Sequence, residues 1–151
     1  MRAHPAETEF REKRGNMIAY LSSWAPRLLS ILRIVSGYLF LLHGSAKLLG
    51  VPQVANMSSV TLMSMAGVAG ILELVGGTLL TLGLFTRPVA FVLSGEMAFA
   101  YFIGHASKGG VLTPILNGGD ASVLYCFIFL YLAAAGGGPW SIDALRKGPR
   151  A

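Results

Sequence analysis

Four apolar stretches, each near the length of a membrane crossing, constrain this chain more than any other feature. They run over residues 30–49 (SILRIVSGYLFLLHGSAKLL), 67–85 (GVAGILELVGGTLLTLGLF), 88–106 (PVAFVLSGEMAFAYFIGHA) and 121–136 (ASVLYCFIFLYLAAAG). A helix needs about 20 mainly apolar residues to span a bilayer. No period-two alternation runs through these stretches, and open strand edges are excluded from lipid, so helices are predicted throughout. Pro88 stands in the first turn of the third helix, where a missing N–H costs nothing. The predicted fold class is all-α: a polytopic membrane protein built as a four-transmembrane-helix bundle. A soluble bundle would have to hide four helices that are apolar nearly all round within 151 residues, a poor fit to the one-sided apolar stripe of soluble helices.

Composition agrees. Apolar residues make up 54% of the chain and charged residues 13%, against about 25% charged in an ordinary soluble domain. The 19 glycines are tolerated in membrane helices. The net charge of +5 does not point to nucleic acid, because the positive residues sit mainly in the two tails. A single cysteine, Cys126, excludes an internal disulfide and a dithiol pair. The first apolar run contains Arg33 and lacks a small-residue cleavage site, so a retained anchor is expected.

Three sections are expected. Residues 1–28 form a basic tail, either disordered or carrying an interfacial segment over 16–25 with Tyr20 and Trp24 at headgroup level. Residues 29–145 form the membrane domain, and 146–151 a second basic tail. The turn at Thr86 and Arg87 is short, so helices two and three are antiparallel neighbours. Residues 107–120 read as a loop, and Ser141 or Asp143 is placed to cap a short terminal helix. Lys and Arg set the orientation. Arg2, Arg11, Lys13, Arg14, Arg27, Arg87, Arg146, Lys147 and Arg150 fall on one side, leaving Lys47 and Lys108 for the other. Both termini are expected to face the cytoplasm.

Ionisable residues inside lipid are costly and usually face the bundle interior. Here they are Arg33, His43, Lys47, Glu73, Glu96 and His105. With helix one rising from the cytoplasmic edge, Arg33 lies about 5 Å deep, His43 about 20 Å and Lys47 about 25 Å; Glu73 falls at about 21 Å, Glu96 at about 12 Å and His105 at about 25 Å. Arg33, Gly37, Phe40, Gly44 and Lys47 form one stripe, with His43 at its edge. Gly70 and Gly77 share the face of Glu73. Small residues let helix backbones approach, so the glycine faces of helices one and two are expected to meet and bring Glu73 to Lys47 or His43. An Arg33–Glu96 pair is a looser expectation. Glu96 and His105 lie on opposite faces of helix three. The cluster reads either as structural glue fixing helix register or as a proton-handling site beside a redox ligand.

No phosphate loop, dinucleotide fingerprint, zinc spacing or nucleophile elbow is present. No metal site is expected. Axial ligation of a haem by His43 and His105 is the weaker alternative.

The segments LRIVSGYLFLLHGSAKLLG, GILELVGGTLLTLGLFTRPVA and HASKGGVLTPILNGGDASVLYCFIFLYLAAAGGGPWSIDAL resemble, in this order, successive blocks of the DoxX family of small membrane proteins. The resemblance covers residues 29–145. It implies a four-helix bacterial inner-membrane protein with an oxidoreductase role, the family being related to a membrane subunit of a thiosulfate:quinone oxidoreductase. By position, the family's polar pattern falls on Arg33, His43, Gly44, Lys47, Glu73, Gly76, Gly77, Arg87, His105, Asn117, Gly118 and Asp143. Asp120 stands where the family often has Glu.

The leading expectation is the membrane subunit of a quinone-linked redox system. Glu73, His43 and Lys47 would handle protons, and His43, Glu73, His105, Arg33 and Glu96 are the candidates to line the ligand site. Quinone is the expected cofactor. The expected partners are the lipid bilayer and a soluble or membrane redox partner, with self-association open. The rivals are a non-catalytic assembly protein and a small-solute transporter, the latter requiring an oligomer.

Overall fold

The computed structural model describes residues 5–55, 60–146 and 148. Among these residues it is helical, with no strand. In order come α1 (Pro5–Leu49), α2 (Met65–Leu82), α3 (Thr86–Phe99), a π-helical segment (Ala100–His105), α4 (Ala106–Gly109), α5 (Pro114–Asn117), α6 (Asp120–Ala135) and α7 (Ile142–Arg146). Among the described residues three helices are long and apolar enough to cross a membrane: α1, α2 and the 24-residue run Thr86–Gly109. The fourth apolar helix, α6, has 16 residues, about 24 Å of rise against an oily layer of about 30 Å.

The first helix does not begin near residue 30. α1 is one helix of 45 residues, about 67 Å long. Its first turns carry Glu, Arg and Lys, which favour helix, and Glu9 pairs with Lys13 at 2.7 Å across one turn. Pro26 is accommodated inside it, and Ser30 Oγ donates to the Pro26 carbonyl at 3.3 Å. The described part of the first tail is therefore a helical extension of the spanning segment, with Phe10, Met17 and Leu21 exposed. Trp24 and Arg27 stack at 5.3 Å where the extension meets the bundle.

The other boundaries shift less. Ser64 caps α2, its Oγ accepting from Gly67 N at 3.1 Å. The helix ends at Gly83, whose φ of +71° suits a residue without a Cβ. The connection to α3 is Gly83–Phe85, so Thr86 and Arg87 belong to α3 rather than to the turn. Residues 107–120, expected as loop, contain the short helices α4 and α5.

The outer surface of the bundle is more apolar than that of a water-soluble protein. Val35, Ile71, Val75, Phe91, Leu124 and Phe127 are exposed, while Ser30, Arg33, Ser36, Glu73, Ser94 and Ser122 are buried. That distribution suits lipid outside and polar helix contacts inside. α1 packs along α2, and α3 along α6. Phe40, Leu80, Leu93, Phe129 and Leu132 fill the centre, with the Phe40 and Phe129 rings edge to face at 4.8 Å.

The α1–α2 seam is a main-chain contact. A Cβ on Gly77 would lie 2.5 Å from Leu41 N, and one on Gly37 would lie 2.8 Å from Thr81 N. A Cβ on Gly44 would overlap the Leu74 backbone and the Gly70 carbonyl. Gly95 has nothing within 4 Å of its Cβ position. Gly44→Val is therefore expected to destabilise the protein by at least about 1–3 kcal/mol, the usual cost of overpacking. Gly95→Ala should be neutral or stabilising by up to about 1 kcal/mol. Thermal unfolding in mild detergent distinguishes them; a Gly44→Val protein that melts with the wild type would mean that the seam is looser than described.

Candidate functional site

The close seam sets the positions of the buried charges. Lys47 lies in the last turn of α1, and its Nζ donates to Glu73 Oε1 at 2.6 Å. Glu73 is 3% exposed, and its Oε2 has no hydrogen-bond partner. Glu96, from α3, is within electrostatic range of both. Neither of its carboxylate oxygens has a partner. Three helices thus bring together one ammonium and two carboxyl groups, and three of the four carboxylate oxygens are unengaged. Burying such groups without satisfying them is costly.

The other candidates are placed differently. His43 is exposed at the edge of this set. Its Nδ1 lies 2.8 Å from the Leu39 carbonyl of its own helix, and its ring is 6.5 Å from that of Tyr125. Arg33 makes no pair with Glu96. It is fully buried, and main-chain carbonyls take its donors: Nε reaches Gly137 O at 2.8 Å, Nη1 reaches Leu80 O and, at 2.7 Å, Thr81 O, and Nη2 reaches Trp140 O at 2.6 Å. The last carbonyls of a helix lack intrahelical partners and attract a cation. Arg33 therefore clamps the end of α2 to the Gly137–Trp140 turn, about two helical turns from Glu73.

Asp143 completes that end. Its carboxylate accepts from Phe85 N at 2.9 Å and Thr86 N at 2.7 Å, so it caps α3. Ser141 caps α7, its Oγ accepting from Ala144 N at 3.1 Å. Desolvation alone would push the Asp143 carboxyl up. Hydrogen bonds from Thr86 and Phe85 and the charge of Arg146 outweigh it and hold the group below its ordinary value.

His105 turns to the connection beyond α3. Its Nδ1 lies 3.1 Å from Asn117 O, while Asn117 Nδ2 donates to Gly110 O at 3.0 Å and Tyr101 OH donates to Val111 O at 2.7 Å. Each of these histidines thus sets its Nδ1 against a main-chain carbonyl, His43 on its own helix and His105 on the connection beyond α3. Among the described residues no three His, Cys, Asp or Glu side chains could hold a metal ion.

Sequence reasoning put Glu96 and Glu73 at different depths, and helix ends explain the error. Glu96 is ten residues into α3 when the helix starts at Thr86, and Glu73 is nine residues from the end of α2 at Leu82. Both then lie roughly 14–15 Å from the same turn. Tyr101 and the Ser94–Cys126 contact, where Ser94 Oγ donates to Cys126 O at 2.9 Å, carried no sequence signal beyond residue type.

Apolar-faced helices with charges buried between them define a polytopic helical membrane protein. Residues 28–106 match the model of the DoxX family. The chain is 46% identical over 125 residues to an uncharacterized protein of Haemophilus influenzae, covering 82% of this chain and 93% of that one. It is 30% identical over 137 residues to the inner membrane protein YphA of Escherichia coli, covering 85% of this chain and 98% of that protein. No solved structure matches it. The chain belongs to the DoxX family.

Two outcomes are expected from this geometry. Lys47→Ala leaves Glu73 buried without its partner and should cost about 3–5 kcal/mol, read as a lowered Tm, whereas Lys47→Ala together with Glu73→Gln should recover much of that loss. Recovery of nothing would show that the pair is not coupled. Asp143, with its folded-state value depressed, should stabilise the protein fully above about pH 4, its ordinary value, and lose that contribution as pH falls through the lower folded-state value. The Tm gap between wild type and Asp143→Asn should narrow over that acid range; a gap independent of pH would remove the cap's ionic character.

Proposed function

We propose that this DoxX-family protein is the membrane subunit of a quinone-linked redox system, with an electron donor brought by a soluble or membrane partner. The observation that carries the reading is the set of three unengaged carboxylate oxygens on Glu73 and Glu96 beside Lys47, inside a membrane bundle. A bound quinone supplies two-electron, two-proton chemistry. Lys47 offers a donor to an oxygen of such a ring, and Glu73 and Glu96 offer acceptors. One ammonium faces two carboxyl groups, so the set is neutral when it holds one carboxyl proton. Glu73 and Glu96 hold and release that proton, and His43, at the exposed edge, relays it. A separate apolar cavity of about 340 Å³, lined by Ala98, Tyr101, Phe102, Cys126 and Phe127, lies farther along the bundle and shares no residue with the Lys47–Glu73–Glu96 set. It suits an apolar ring or tail.

The same reading places the chain in the cell inner membrane with four crossings, α6 being the fourth. Arg27, Arg87 and Arg146 flank the end that carries the Arg33 clamp, and Lys108 lies beyond α3 at the other. The positive-inside rule then puts both termini in the cytoplasm. The name of the Escherichia coli relative supports the inner membrane.

A non-catalytic assembly role is the second reading, favoured by the Lys47–Glu73 pair, which fixes α1 against α2. Quinone content separates the two. Protein purified from native membranes in mild detergent should carry quinone in excess of a lipid-matched unrelated membrane protein, and Glu96→Gln should lose most of it while keeping its fold. Equal quinone in wild type, variant and control would sink the redox reading and favour assembly.

A further inference from the structure

A second cavity lies away from the Lys47–Glu73–Glu96 set. It measures about 780 Å³ and opens at the end of the bundle that carries the Arg33 clamp. Pro26 and Leu29 of α1, Phe85, Pro88 and Ala135 give it apolar walls. Arg87 and Arg146 line it as well, and both are exposed.

Neither arginine makes an ion pair within 4 Å: among the described residues the ion pairs are Glu9–Lys13 and Lys47–Glu73, and Asp143 meets Arg146 only through longer-range attraction. Arg87 makes one long bond, from Nη1 to Ala133 O at 3.4 Å. Arg146 lies 5.5 Å above the Phe85 ring. Asp143 is the one acidic lining residue, and the Phe85 and Thr86 amides engage both of its oxygens. The cavity therefore carries two guanidinium groups with unused donors against one committed carboxylate. Guanidinium groups bind phosphate oxygens through paired N–H donors. Trp24 and Trp140, both exposed, stand at this end of the bundle, and such residues mark headgroup level in a membrane protein.

We propose that Arg87 and Arg146 form a binding site for a phosphate-bearing anion at this cavity, presented as an anionic phospholipid headgroup or as free phosphate. Arg87 holds phosphate oxygens from the α3 side, and Arg146, kept in place over Phe85, from the α7 side. The apolar walls accommodate the glycerol and upper acyl carbons of a lipid, an attachment free phosphate lacks. The site is independent of the quinone-linked reading, since it shares no residue with the Lys47–Glu73–Glu96 set.

The test uses the full chain. Wild-type protein is equilibrated in vesicles of phosphatidylcholine doped with phosphatidylglycerol, and the lipid retained after extraction is read by native mass spectrometry. A parallel arm titrates inorganic phosphate into delipidated protein by calorimetry. Retention of phosphatidylglycerol over phosphatidylcholine, falling roughly fivefold for each arginine removed in Arg87→Gln and Arg146→Gln, is the expected result. Lys108→Gln, at the other end, should leave it unchanged. Phosphate binding that is lost in the same variants, without lipid selectivity, would identify the free ion as the source and still support the site. The proposal is overturned if neither ligand binds, if the double arginine variant retains as much as the wild type, or if Lys108→Gln loses as much. Unfolding midpoints confirm that the exposed arginines were removed without loss of fold.

Discussion

Backbone contact between α1 and α2 is the constraint on which the rest of this protein depends. Lipid gives apolar helix faces little reason to prefer one another over acyl chains, so close packing must select the neighbour. Gly44 against Gly70 and Leu74, and Gly77 against Gly37 and Leu41, allow an approach that no side chain would permit. That approach decides what happens to Lys47. Its ammonium can reach Glu73 at 2.6 Å only because the two helices are nearly touching one turn away. Were the helices held apart by ordinary side chains, both groups would remain in oil without each other.

Buried charge is handled in two opposite ways in the same bundle. Arg33 has every neighbouring carbonyl it needs, and its guanidinium serves as a fastener joining the end of α2 to the Gly137–Trp140 turn. Four of its five N–H donors are engaged in this way. At Glu96 the reverse holds: two buried oxygens and no partner. A fully satisfied polar network fixes a structure, whereas an unsatisfied one is a cost that structure alone does not explain. The contrast sets the unpartnered Glu73–Glu96 face apart from Arg33, whose bonds join two parts of the fold, although the family pattern brings Glu73 and Arg33 forward equally.

Much of this was legible in the sequence. Spanning lengths gave the helical class, and glycine spacing around Glu73 gave the face that meets α1. What could not be read were helix ends. The acidic and basic residues of the first tail look like a solvated segment, yet they are good helix formers and extend α1 to Pro5. Thr86 looks like turn, yet Asp143, 57 residues later, caps it into α3. That tertiary contact adds two residues, about 3 Å, between the turn and Glu96, and the earlier end of α2 at Leu82 brings Glu73 closer to the same turn. The expected Arg33–Glu96 pair is absent for a related reason: the partners of Arg33 are main-chain carbonyls, which no residue type announces.

The short fourth apolar helix and the irregular segment after α3 are two aspects of one arrangement. Non-helical backbone near a membrane is tolerated where its polar groups find protein partners. Around Ala100–Asn117 they do. Val111 O accepts from Tyr101 OH, Gly110 O from Asn117 Nδ2, and Asn117 O lies at hydrogen-bond distance from His105, while Gly119 N donates to Asn117 Oδ1. The π-helical segment carries Tyr101 and His105 into this work. With those groups satisfied, α6 can begin at Asp120 and still close against α3 with only 16 residues. The polar knot at this end and the Arg33 clamp at the other thus bracket the bundle, and the unsatisfied carboxyl groups lie on the helices between them.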